Sequence, residues 1–182
     1  MLSFDETPIA MLTLTCALTH EVGHILTLIV FSDDSFTLKG VSSGLRITGQ
    51  RLRSYKKEIM LYLSGPFFNI VFAFLSVLLK TKNPGFASTF AVLNLATAFS
   101  NLLPIEGYDG YGAIKSFLLL KGLNSTADTF LPIISFLTLL ILCICSLYFI
   151  DRLGEGYWIF FVFAVSLIKK LDFAITNLKN EI

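Results

Sequence analysis

Two histidines and a glutamate fall within one short run, His20-Glu21-Val22-Gly23-His24. On a helix, positions i and i+4 share a face, so both imidazoles reach one metal ion from the same side. Glu21 stands close enough to take a proton from a water at that metal. Zinc suits such a site, because it lowers the pKa of a water it holds toward about 7. These are the parts needed to hydrolyse an amide. The segment around them is apolar, and ionisable groups at the centre of a membrane helix each cost about 2.5–3.5 kcal/mol on insertion scales. A structural polar cluster satisfied by neighbouring helices is the blander reading. The paired spacing weighs against it, and these are the only 2 histidines in the chain.

Catalytic zinc takes three protein ligands and keeps one position open. With no further histidine, the third ligand is a thiolate or a carboxylate. Cys16, Cys143 and Cys145 all lie in apolar stretches with no C-x-x-C pair, and read as small apolar filler rather than a disulfide framework. Cys16 does precede His20 by one helical turn, on the same face. Asp109 is the carboxylate favoured by position, just beyond the end of an apolar run that travels in the same direction as the first. Glu106, two residues past the break at Pro104, is the alternative, and is otherwise a loop charge facing water.

The elements that must position these groups belong to a membrane protein. The 182 residues are 54% hydrophobic and only 15% charged, with 18 Phe and a mean hydropathy of +0.74. Soluble domains carry roughly 25% charged residues. The net charge of +1 is uninformative, and no basic block points to nucleic acid. A spanning helix needs about 20 mostly apolar residues. Pro8–Phe31, Ile59–Leu79, Phe86–Leu103 and Leu131–Ile150 each read as a span, and Tyr157–Ile168 as a shorter fifth between interfacial aromatics and lysines. The first lacks the charged start and small-residue cleavage site of a signal peptide and reads as retained. The predicted fold is an all-α polytopic membrane protein with about five transmembrane helices. It forms a single domain over residues 1–182, with a core at about 8–121 and accessory helices within 131–172.

Lys39, Arg46, Arg51, Arg53, Lys56, Lys57, Lys115, Lys121, Lys169, Lys170 and Lys179 gather on one side of this topology, against Lys80, Lys82 and Arg152 on the other. The positive-inside rule then places the N-terminus outside and the metal site near the cytoplasmic face, in a bacterial cell membrane. His24 sits roughly 12 Å below the cytoplasmic end of its helix, by helical rise. In the first basic segment, Phe36-Thr37-Leu38-Lys39 and Leu45-Arg46-Ile47-Thr48 alternate apolar with polar about a Gly/Ser-rich turn. That pattern predicts a small β-hairpin on the cytoplasmic side. Asn124-Ser125-Thr126 fits a glycosylation sequon but falls on the cytoplasmic side.

Three motifs in order resemble the site-2 protease family of intramembrane zinc metalloproteases. They are His20-Glu21-Val22-Gly23-His24, then Gly65-Pro66-Phe67-Phe68-Asn69, similar to the family's G-P-x-x-N, then Asn101-Leu102-Leu103-Pro104 with Asp109-Gly110, similar to N-x-x-P-x-x-x-x-D-G. The resemblance implies that Asp109 completes one zinc site with His20 and His24, that Glu21 is the catalytic base, and that Asn101 helps to bind the substrate carbonyl or orient the site. It departs at Glu106 and Gly107, where prolines are common, and at Tyr108. No PDZ or CBS domain of the kind common in the family fits within 182 residues. Taken alone, Gly65 and Pro66 also read as a close helix packing and a tolerated kink, and Asn69 as an interhelical bond.

The expected activity is hydrolysis of a peptide bond in or near a transmembrane segment of another membrane protein, releasing a soluble factor. The hairpin would offer a strand edge to the unwound substrate. The expected partners are that substrate, the lipid bilayer and a regulatory membrane subunit that gates access. A non-catalytic scaffold with a structural zinc is the competing reading. A metal transporter is the third, and it would need polar groups along the whole membrane path.

Overall fold

The computed structural model describes residues 6–31, 37–41, 44–48, 54–78 and 84–153, and beyond these 157, 160–161 and 163–168. The architecture is helical, in the order α1 (Glu6–Phe31), two short strands, α2 (Tyr55–Leu78), α3 (Pro84–Asn101), α4 (Asp109–Leu120), a π-helical turn (Thr126–Phe130) and α5 (Leu131–Leu153). The strands β1 (Thr37–Val41) and β2 (Gly44–Thr48) pair antiparallel, with Leu38 opposite Ile47. Phe36, where the expected hairpin begins, and residues 42–43 lie outside the described residues.

Among the described residues, three helical stretches are long and apolar enough to cross a membrane, Ile9–Phe31, Tyr55–Leu78 and Thr126–Arg152. The expectation of five spans is corrected here. The third expected span does form a helix, α3, but its length carries Ser88, Thr89, Asn94, Thr97, Ser100 and Asn101, which dilute its hydropathy. The fifth, at 157–168, falls partly outside the described residues.

The chain divides into two compact units, one of residues 1–103 and 107–123, the other of 104–106 and 124–182. The first holds His20, His24 and Asp109, and the second holds Glu106. In lipid the tails are as apolar as leucine, so helices associate through close packing and interhelical hydrogen bonds rather than hydrophobic burial. The buried positions fit that rule. On α3 they are Ala87, Ala91, Asn94 and Ala98, three or four residues apart on one face. On α2 they are Ser64, Gly65, Pro66, Asn69 and Ala73. The bulky side chains, among them Met11, Val30, Phe67, Phe74 and Phe99, are exposed to the outside of the bundle. Thr13 and Thr15, also on that outer face, satisfy their hydroxyls on the carbonyls of Ile9 and Met11 in their own helix.

Local chemistry sets the helix ends near the site. Lys57, at the start of α2, donates to the carbonyl of Phe31 at 3.0 Å, where the end of α1 has unpaired carbonyls and a partial negative charge. α3 gives way to a turn in which Gly107 adopts φ +94°, a conformation closed to most side chains. α4 stops in a Schellman arrangement about Gly122, φ +74°, with Leu123 N–H donating to Leu118 at 2.9 Å and Gly122 N–H to Leu119 at 3.0 Å. In the second unit, the Glu106 N–H donates to the buried Ser135 hydroxyl at 2.9 Å.

Candidate metal centre

His20 and His24 stand one turn apart on α1, and their Nε2 atoms are 3.2 Å from each other. Asp109, the first residue of α4, brings Oδ2 to 2.9 Å from His20 Nε2 and 3.2 Å from His24 Nε2. The sequence separates Asp109 widely from the histidines. The reversal after α3 is what returns it to them, so the Asp109-Gly110 step is part of the site's construction. A Cβ on Gly110 would lie 2.0 Å from the Leu102 carbonyl oxygen, so only glycine lets α4 start this close to the end of α3.

The outer ring nitrogens decide which atoms face inward. His20 Nδ1 is 2.8 Å from Asn69 Oδ1, and His24 Nδ1 is 2.8 Å from the carbonyl oxygen of Leu61. Oxygens of both kinds only accept, so each Nδ1 carries a proton and, in the neutral ring, each Nε2 presents a lone pair. Ser64 donates to the same Leu61 carbonyl at 2.6 Å. Pro66 offers no N–H to the carbonyl one turn before it and loosens this part of α2. With both Nε2 atoms unprotonated, Asp109 Oδ2 is buried without a hydrogen-bond partner among the described residues. Two lone pairs and a carboxylate oxygen therefore point at one another.

That arrangement fits a cation. Zinc holds imidazole nitrogen and carboxylate oxygen at about 2.0–2.2 Å, which in a tetrahedral site places ligand atoms about 3.3 Å apart. The three observed separations, 2.9, 3.2 and 3.2 Å, approach that edge within a few tenths of an ångström. His20, His24 and Asp109 also form the one group of three such residues among those described whose ligand atoms gather this closely. Each histidine further has the hydrogen-bonded outer nitrogen that metal-binding imidazoles usually show.

Helix α2 closes the cluster from one side. A Cβ on Gly65 would lie 2.5 Å from His24 Nε2 and 2.8 Å from His20 Nε2, so the bare Cα of Gly65 forms a wall of the site. Gly23, inside the histidine motif, is equally constrained, since a Cβ there would meet the Ser64 carbonyl oxygen at 2.7 Å. The motif's two intervening positions are thus unequal. Val22 is exposed on the outer face of α1, and Gly23 is the crossing point with α2.

Glu21 is half-buried beside His20 and forms no hydrogen bond among the described residues. Asn101, at the end of α3, donates its Nδ2 to the Thr97 carbonyl at 3.0 Å. Glu106 is exposed and belongs to the second unit. Cys16 is fully buried one turn before His20, where its carbonyl accepts from Asn69 at 3.0 Å. Gly65 is the close helix packing and Asn69 the interhelical bond that the sequence suggests, but their contact with the histidines, like Asn94 and the Leu61 carbonyl, was not foreseen. A signal was present for Asn69, which lies one turn beyond Gly65 and so on its face.

No protein-family model and no curated protein matches the sequence. Among solved structures, the chain is similar to the Site-2 Protease from Methanocaldococcus jannaschii, with a TM-score of 0.66 over 93% of this chain and 79% of that one. Identity is 15%, so the likeness is one of fold, and it extends over nearly the whole of this chain.

Proposed function

We propose that this chain is an intramembrane zinc metalloprotease that hydrolyses a peptide bond in or near a transmembrane segment of another membrane protein. The observation that carries the reading is the convergence of His20 Nε2, His24 Nε2 and Asp109 Oδ2 within an apolar helical bundle, with a free carboxylate on the residue after His20. The fold likeness to a site-2 protease supports it independently.

In this reading His20, His24 and Asp109 hold the metal. Zinc, when bound, supplies the Lewis acidity that polarises a peptide carbonyl and a water. Glu21 takes the proton of the attacking water and passes it to the leaving amine. The large apolar side chains around the bundle face lipid, and the cluster sits on its inner side, where bulk water is scarce and charge on a reacting group is felt strongly. Asn101 would orient the substrate carbonyl with the second hydrogen of its amide, the first being donated to the Thr97 carbonyl. A helical substrate hides its amides, so it must unwind, and the β1–β2 pair offers an edge on which an extended segment can add. The site lies toward the cytoplasmic face, with the N-terminus outside, and a membrane partner gates access.

The test is co-expression of the chain with single-span membrane proteins, comparing wild type with Glu21→Gln for cleavage and bound zinc. Cleavage by wild type, with zinc kept and cleavage lost in the variant, is the expected result. Zinc in both with equal cleavage would remove Glu21 from the chemistry. Zinc in both with no cleavage of any substrate favours a structural metal site.

A further inference from the structure

Asn69 on α2 and Asn94 on α3 play no part in the mechanism above, yet both are 0% exposed. A buried amide in an apolar bundle is costly unless its hydrogen-bonding atoms are used. Here the direction of each bond follows from a carbonyl, which can only accept. Asn94 Nδ2 donates to the Phe90 carbonyl at 2.9 Å, which leaves Asn94 Oδ1 facing α2. Asn94 Oδ1 accepts from Asn69 Nδ2 at 2.8 Å, and the same Nδ2 donates to the Cys16 carbonyl at 3.0 Å. Turning the Asn69 amide round would set oxygen against oxygen at both contacts. Asn69 Oδ1 is thereby aimed at His20 Nδ1, 2.8 Å away. Thr19 Oγ1, which donates to the Cys16 carbonyl at 2.8 Å, lies 3.4 Å from both asparagines and completes the network.

We infer that Asn94 is a positioning residue for the metal centre, acting through Asn69 to hold His20 in the tautomer whose Nε2 lone pair faces His24 and Asp109. The relay runs from α3 through α2 to α1, and its far end is a whole side chain removed from the histidine it governs. It rests on the metalloprotease reading only for the use to which that lone pair is put. Asn69 Nδ2 has three acceptors, Asn94 Oδ1, the Cys16 carbonyl and Thr19 Oγ1, and only the first two, being carbonyl oxygens, oppose reversal, since the Thr19 hydroxyl can donate as well as accept. Without it the Cys16 carbonyl alone opposes reversal, and His20 samples both tautomers. Partners of metal-bound histidines typically contribute a factor of about 10–100 in metal affinity. Asn69→Leu should lower zinc affinity by that amount, and Asn94→Leu by about tenfold, although Asn94 hydrogen-bonds to none of the three metal ligands.

The experiment uses the full chain in detergent, labelled with ¹⁵N-histidine, with zinc affinity measured by chelator competition. The metal-free wild type should show His20 protonated at Nδ1 and bare at Nε2, and Asn94→Leu should show a tautomer mixture. The double variant Asn69→Leu/Asn94→Leu should bind zinc as Asn69→Leu does, because the two act in series. A His20 protonated at Nε2 in the metal-free wild type overturns the relay without any variant. So do additive losses in the double variant, or an unchanged tautomer and affinity in Asn94→Leu. A wild type that shows the expected tautomer but binds no zinc upholds the relay and sinks the metalloprotease reading instead.

Discussion

Gly65→Ala adds a single methyl group, and the structure says where it goes. The new Cβ would lie 2.5 Å from His24 Nε2, 2.7 Å from His20 Cε1 and 2.8 Å from His20 Nε2. Ordinary contact begins at 3.4 Å, so His24 must retreat by about 0.9 Å or α1 must part from α2 by a similar distance. The second route would give up the close packing of Gly23 against Ser64 and Gly65, and it would carry both histidines away from Asp109. Metal sites tolerate displacements of about 0.2 Å. A misplacement of about 1 Å in a catalytic site costs on the order of 100-fold in rate. The substitution should therefore lower zinc affinity by about 100-fold or more, with a matching loss of cleavage. Helix propensity moves the other way, by about 1 kcal/mol in favour of Ala. The variant should thus remain folded while losing metal. The assay is zinc bound per chain at a series of chelator concentrations, with helicity followed by circular dichroism. A folded Gly65→Ala protein that binds zinc like wild type would refute the placement of α2 against the histidines.

Further substitutions test other parts of the account. Gly110→Ala forces a Cβ onto the Leu102 carbonyl, a backbone atom that cannot swing aside, and should displace Asp109 and reduce zinc occupancy as Asp109→Ala does, read by metal analysis. Leu38→Pro removes an N–H from β1, which pairs with β2, and should reduce cleavage several-fold while leaving bound zinc unchanged. Unchanged cleavage would exclude strand addition there. Lys57→Met deletes the donor to the Phe31 carbonyl and should lower stability by about 0.3–1 kcal/mol with no effect on zinc, measured by denaturation in detergent.

The groups that converge at the candidate centre left a local signature in the sequence, although position alone kept Glu106 beside Asp109 as the third. Histidines at i and i+4 on an apolar helix, and an Asp-Gly after a proline break, stand out where charge is rare. The surrounding support left weaker marks. Gly65 reads in the sequence as a close helix packing, but which helix it meets, and that the histidine rings stand there, has no sequence period. Asn94 drew no notice because its partners are Phe90 on its own helix and Asn69 on another. The span count exceeded what the helices support for a related reason. Phe86–Leu103 reads as a span from its run of apolar and small residues, but the serines, threonines and asparagines among them lower the hydropathy of α3 below that of the three long apolar helices. Leu61 contributes through a main-chain carbonyl, which residue identity cannot signal.

The central claim is that His20, His24 and Asp109 hold one zinc. X-ray absorption at the zinc edge of the purified chain tests it most directly. The account predicts one zinc per chain with two imidazole nitrogens and oxygen ligands at about 2.0–2.2 Å, and loss of that zinc in Asp109→Ala. A purified chain that takes up no zinc, or a zinc shell containing sulfur at about 2.3 Å, would contradict it.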